Sequence, residues 1–172
     1  MLWGFFFSQP MEKADNEKFM RMAIALSEQN VKQSLGGPFG AVIVKDGKVI
    51  AASANRVLVE TDPTAHAEVS AIRKACHELR THDLSGCEIY TSCEPCPMCM
   101  GAIYWARIDK IYYANTKTDA AHIGFDDHVI YKEIACEMDD RRLPFTQLLH
   151  EEALTAFKLW ETSDLNIKNR TP

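Results

Sequence analysis

Two short runs hold the residues that can do chemistry: His66-Ala67-Glu68, and Pro95-Cys96-Pro97-Met98-Cys99. Alone, each is ambiguous. A His-x-Glu arises often by chance, and a Cys-x-x-Cys suits a thioredoxin-like redox pair or half of a structural zinc site. Together they supply three metal ligands and one carboxylate that need not ligate. Cysteines three apart on a helix share a face, so Cys96 and Cys99 can grip one ion, and a helix N-terminus helps stabilise their thiolates. The remaining cysteines form no separate second pair that would close a structural site.

Three protein ligands leave one tetrahedral position for water, the mark of a catalytic zinc. Zinc lowers the pKa of such a water from 15.7 to about 7, and a nearby carboxylate can pass its proton to a substrate ring nitrogen and a leaving amine. Glu68 is placed for that work. The bland alternative makes His66 a satisfied helix-start histidine, Glu68 a favourable charge at a helix N-terminus, and the cysteines buried hydrophobes. It has to hold for all four at once, which disfavours it. Cys93 stands evenly between core filler and site wall and is not counted as a ligand.

The elements that must position these residues are readable from periodicity and punctuation. Phe19, Met22, Ala23 and Leu26 follow a helical apolar stripe over 12–32, which Gly36-Gly37-Pro38 ends. Residues 39–44 and 49–53 are short strands around Asp46-Gly47, a two-residue hairpin signal. A polar loop over 55–64 leads to a helix over 65–79, with His66 and Glu68 in its first turn. A strand over 88–91 precedes a helix over 96–106, where Pro95 and Pro97 sit at positions a helix start tolerates. A fourth strand over 110–114 follows, then a partly helical stretch over 116–138 with a loop around 124–127. A fifth strand over 145–150 and a helix over 151–160 complete the reading. Strands alternating with helices imply an α/β fold: three layers, α/β/α, with a mixed five-stranded sheet whose later strands pair in parallel.

The chain has 172 residues and is 47% hydrophobic, enough for one core, and its net charge of −5 gives no global excess for gripping a phosphate backbone. A small neutral substrate suits that balance better than RNA. Three of the six cysteines crowd into 93–99, unlike a disulfide framework, so free thiols in a reducing cytoplasm are expected. The apolar start, Met1 to Phe7, lacks a basic flank and is too short for a secretory signal or a spanning helix. Residues 1–11 are therefore read as an extension or a hydrophobic strap, 12–160 as one catalytic domain, and 161–172 as a tail.

Over 12–160 the sequence resembles the cytidine deaminase-like zinc deaminases, whose signature is His-x-Glu with Pro-Cys-x-x-Cys. Within them, the runs Gly36–Gly47, Asp62–Glu68, Thr91–Cys99, Gly101–Arg107 and Gly124–Asp127 look like the bacterial guanine deaminases. That resemblance implies one zinc per subunit on His66, Cys96 and Cys99, with Glu68 as proton carrier. It places Asn55 and Phe39 in the base pocket, Trp105 in its wall, and Asp127 in guanine recognition and proton handling. It also implies a homodimer whose C-terminal segment covers the partner's pocket, although this chain ends in Asn166–Pro172 without an aromatic residue.

The metal motif does not choose a substrate. Sibling tRNA adenosine deaminases share it, usually with a histidine in place of Trp105 and without the Gly-Phe-Asp-Asp element. A deaminase of cytosine or another small amino-substituted ring, and a zinc-stabilised binding protein without catalysis, also remain open. Each pocket residue has an ordinary rival role as well: Phe39 and Trp105 as core, Asn55 as a loop cap, and Asp126-Asp127 as a helix start.

Overall fold

Asp46 and Gly47 both take positive φ, 49° and 71°, in the reversal that joins β1 (Gly40–Lys45) to β2 (Lys48–Ala54). A two-residue hairpin turn of this kind needs left-handed backbone at both positions, which is why Asp-Gly predicts it. The computed structural model describes residues 13–165. Before the hairpin comes α1 (Lys13–Lys32). After it come α2 (Val57–Glu60), α3 (Ala67–Leu79), β3 (Cys87–Cys93), α4 (Pro97–Trp105), β4 (Lys110–Asn115), α5 (Lys117–His122), α6 (His128–Ala135) and α7 (His150–Glu161). Two compact units divide between Asp126 and Asp127.

In the first unit the strand order is β2-β1-β3-β4, with β1 antiparallel to β2 and β3, and β3 parallel to β4. Both faces of the central strand β1 are covered, so its residues are apolar without alternation. Ala41 and Ile43 join a core with α3 and α4 residues such as Ala71, Ile72 and Ile103. Val42 and Val44 face Phe19 and Ala23 of α1, with Tyr90 of β3. The apolar stripe of α1 thus packs on one side, and the helices bearing the cysteine and histidine motifs pack on the other.

Gly40 sets how closely α1 lies on the sheet. A Cβ there would stand 2.2 Å from Ala23 O and 2.9 Å from both Leu26 Cβ and Ser27 N. The same residue's N–H donates to Ser92 Oγ at 2.9 Å, tying β1 to the strand that leads into the cysteines.

Two expectations are corrected. The sheet of the described residues has four strands, not five, because 145–150 is not a strand. Pro144 has no N–H to donate to a ladder, Leu148 and Leu149 are exposed, and Leu149 turns left-handed (φ 54°) to start α7. The polar loop over 55–64 contains one turn of helix, α2, with Arg56 paired to Glu60 at 3.1 Å and a left-handed Thr61 ending it.

The second unit holds α6, a 3-10 turn at Met138–Asp140 and α7; neither α6 nor α7 has a buried residue. The readings of 1–11 and of the tail beyond residue 165 fall outside the described residues. Among the described residues no helix is long and apolar enough to cross a membrane.

Candidate metal and active site

Both motifs begin helices. His66 is the residue before α3, in extended backbone (φ −64°, ψ 160°), and Cys96 is the residue before α4 (φ −67°, ψ 169°), followed by Pro97 at the first helical position. Residues at such positions normally turn their side chains back to cap their own helix. Here neither does so. They turn to each other instead, and Cys99, one turn into α4, completes the group.

His66 Nδ1 lies 3.6 Å from Cys96 Sγ and 3.5 Å from Cys99 Sγ, and the two sulfurs are 3.6 Å apart. Zinc bonds of about 2.3 Å to sulfur and about 2.0–2.1 Å to nitrogen at tetrahedral angles give edges of about 3.8 Å and about 3.6 Å. The three atoms therefore form one face of a zinc tetrahedron, and the fourth corner has no protein ligand among the described residues. Two soft sulfurs and an imidazole are also the donor set that zinc prefers.

The local electrostatics carry the mark of a cation site. The hydrogen bond between the two sulfurs pulls the Cys96 thiol down to about 4, helped by His66 and against burial. The same hydrogen bond pushes Cys99 up, with burial and the Glu68 charge acting in the same direction. The hydrogen bond with Cys96 raises His66. A divalent cation at their centre favours both thiolates and the neutral imidazole, removing this competition for protons.

Glu68, only 5% exposed, sits beside this group with Oε2 at 3.5 Å from Cys99 Sγ. Burial pushes its carboxyl upward, while its own backbone N–H and then the Thr91 hydroxyl, donating at 3.1 Å, oppose the rise. A buried carboxyl shifted upward in this way is suited to exchanging a proton with a neighbouring group. Cys93 is buried and pushed by burial up to about 11; its thiol donates to Thr116 O at 3.5 Å, and it is not part of the His66, Cys96 and Cys99 group.

Asn55 is 6% exposed and follows β2. Its backbone N–H donates to Phe39 O at 2.9 Å, and the next residue's N–H donates to Ala65 O at 2.8 Å, so the loop is tied to the chain just before His66. The side-chain Oδ1 accepts from Val57 N–H at 3.3 Å. Phe39 meets Phe125 edge to face at 4.9 Å. Trp105 does not join them within this chain: it ends α4, six residues and about 9 Å along the axis from Cys99, and is 67% exposed. Asp127 opens the second unit, immediately before α6.

Two residues without a role in the sequence reading support the site. Thr91 is fully buried on β3 and reaches Glu68. Asn30 of α1 donates to Gly37 O at 2.9 Å and Asn55 O at 3.0 Å. The signal for both was a polar residue at an apolar position: Thr91 between Ile89 and Cys93 on the inward parity of β3, and Asn30 four residues after Leu26 on the stripe of α1.

Residues 13–115 match the cytidine and deoxycytidylate deaminase zinc-binding region, and the chain belongs to that family of zinc-dependent hydrolytic deaminases. It is 53% identical over 146 residues to the guanine deaminase of Bacillus subtilis, covering 85% of this chain and 94% of that one. The X-ray structure of guanine deaminase from Bacillus subtilis matches with a TM-score of 0.82 at 51% identity, covering 91% of this chain and 97% of the other. A guanine deaminase from Nitrosomonas europaea matches at 38% identity with a TM-score of 0.61 over 64% of each chain. The tRNA-specific adenosine deaminase of Agrobacterium fabrum is 43% identical over 100 residues, 58% of this chain and 65% of its own.

Proposed function

We propose that this protein is a guanine deaminase, converting guanine and water to xanthine and ammonia in purine catabolism or salvage. The observation that carries the reading is the extent of the match. Similarity to the Bacillus subtilis guanine deaminase runs over 85% of the chain, well past the zinc-binding region that ends at residue 115. The similarity to the adenosine deaminase of Agrobacterium fabrum covers 58%. Substrate choice must come from outside the shared metal motif, so the longer match bears on it and the shorter one does not.

His66, Cys96 and Cys99 would hold the zinc. Bound there, the metal supplies a Lewis acid that activates water at neutral pH. Glu68 accepts a first proton from the attacking water and gives it to the ring nitrogen beside the amino-bearing carbon as the new C–O bond forms; it then takes the second proton from the resulting hydroxyl and gives it to the amine. The C–N bond then breaks with its electron pair leaving on nitrogen, so ammonia departs and the new carbonyl of xanthine remains. Asn55, its Oδ1 already engaged by Val57 N–H, presents amide donors to the acceptor edge of guanine. The Asp127 carboxylate accepts from guanine N–H groups and assists proton handling. Phe39 lies against the base. A site built on such polar contacts rejects bases whose edges leave them unpaired.

A homodimer supports the remaining assignment, the wall formed by Trp105. That indole is mostly exposed in one chain, as are Tyr104 and Tyr113 near it in sequence and the apolar side chains of α7. Exposed apolar surface on this scale calls for a covering partner. Free thiols throughout the chain suit a cytoplasmic setting.

Zinc-loaded protein incubated with guanine releases ammonia and xanthine on this reading, with cytosine and an adenosine-containing tRNA anticodon stem-loop as comparators. Turnover of the stem-loop adenosine without turnover of guanine would transfer the assignment to the tRNA enzymes.

A further inference from the structure

β3 brings one more polar side chain against the metal and proton-transfer group. The Thr91 hydroxyl lies 3.1 Å from Glu68 Oε1 and 3.0 Å from Cys93 O, and the residue is fully buried. With one proton, a hydroxyl donates to one acceptor at a time. At the other carboxylate oxygen, Oε2, the side chain within reach is Cys99 Sγ at 3.5 Å. A metal-ligating cysteine is a thiolate and has no proton to give. In the metal-loaded protein Thr91 is then the side-chain donor left to Glu68 among the described residues, beside the carboxyl's bond from its own backbone N–H.

The last torsion of a glutamate is broad and roughly two-fold, so packing of the stem does not fix the plane of the carboxylate. A hydrogen bond to one oxygen does. We propose that Thr91 is a positioning residue that holds Glu68 by Oε1 and thereby aims Oε2, the oxygen on the Cys99 side, at the reacting water and amine. This rests on the deaminase reading given above. Proton transfer falls off steeply when the base is out of reach or misaligned, so the hydroxyl acts on turnover rather than on binding.

Thr91→Val removes the hydroxyl at nearly constant shape, and Thr91→Ser keeps the hydroxyl while removing a methyl group. In zinc-loaded full chains, Thr91→Val keeps its zinc, holds KM within about twofold and lowers kcat by about tenfold or more, while Thr91→Ser stays within about threefold of the unmodified protein. The carboxylate stretching band of Glu68, assigned by its loss in Glu68→Gln, shifts in Thr91→Val and stays in place in Thr91→Ser. Thr91→Val turning over at the unmodified rate, Thr91→Ser as slow as Thr91→Val, or an unmoved band overturns the proposal. If Thr91→Val does not fold, Thr91→Ala is held to the same outcomes. The band does not depend on the substrate. Absence of guanine turnover in the unmodified protein therefore overturns the assigned substrate, and an unmoved band overturns the role of Thr91.

Discussion

At the scale of single residues, the proposed reaction separates groups that would hold the metal from a group that would transfer protons. Glu68 is buried beside a cysteine sulfur, a position unfavourable for a fixed negative charge and suited to a carboxyl that gains and loses a proton. Glu68→Gln keeps shape and hydrogen bonding but cannot carry a proton; it should retain zinc by metal analysis while kcat falls by about 10²–10⁴-fold. A purely structural zinc site would show no such loss. Cys99→Ser does the reverse, and it should lower bound zinc and activity together, because the fully buried position offers no substitute ligand. Asn30 acts further out, holding the carbonyls of Gly37 and Asn55. Asn30→Ala removes the side-chain donor of Asn55 O and leaves Gly37 O with the Phe39 N–H alone; it should cost about 1–3 kcal/mol by denaturant melts and raise KM for guanine as Asn55 shifts.

At the scale of elements, close backbone approach decides what each helix can reach. A Cβ at Gly40 would meet backbone and near-backbone atoms of α1, which cannot swing aside as a side-chain tip can. Gly40→Ala should destabilise the fold by about 2–3 kcal/mol, seen as a fall in Tm of about 4–10 °C. The elements legible in the sequence were those with local causes: the Asp46-Gly47 turn, the Gly36-Gly37-Pro38 stop after α1, and the Pro97 start of α4. The metal ligands were legible for the same reason, since the spacing of Cys96 and Cys99 places them on one helical turn. What was not legible depends on tertiary neighbours. The apolar letters at 145–149 resemble a strand, but no sheet edge pairs with them, and a left-handed Leu149 is invisible in composition. Thr91 is legible only as part of a motif because its partner, Glu68, is 23 residues away in the chain and meets it only through the packing of α3 on the sheet.

At the scale of the whole molecule, each unit leaves apolar surface uncovered. In the first, Tyr104 and Trp105 close α4 while Tyr113 sits on the edge strand β4, all exposed. In the second, α7 carries Phe157 at 71% and Leu159 at 68% exposure and buries nothing. Single exposed hydrophobic residues are ordinary, but aromatic and aliphatic groups on an edge strand and an unburied helix are the surface that the proposed dimer would cover. A second copy of the chain is the occupant that the dimer reading names. Light scattering should then give about twice the 19.4 kDa of one chain. Tyr113→Glu combined with Phe157→Glu should produce a folded monomer, because a buried unpaired carboxylate opposes association far more than it perturbs an exposed position in the free chain. If Trp105 becomes a pocket wall only when covered, loss of the dimer should lower kcat/KM for guanine while zinc content stays constant. A protein that scatters as a monomer at all working concentrations yet turns over guanine normally would leave Trp105 outside the catalytic unit, and would require the pocket to be closed by residues of the same chain.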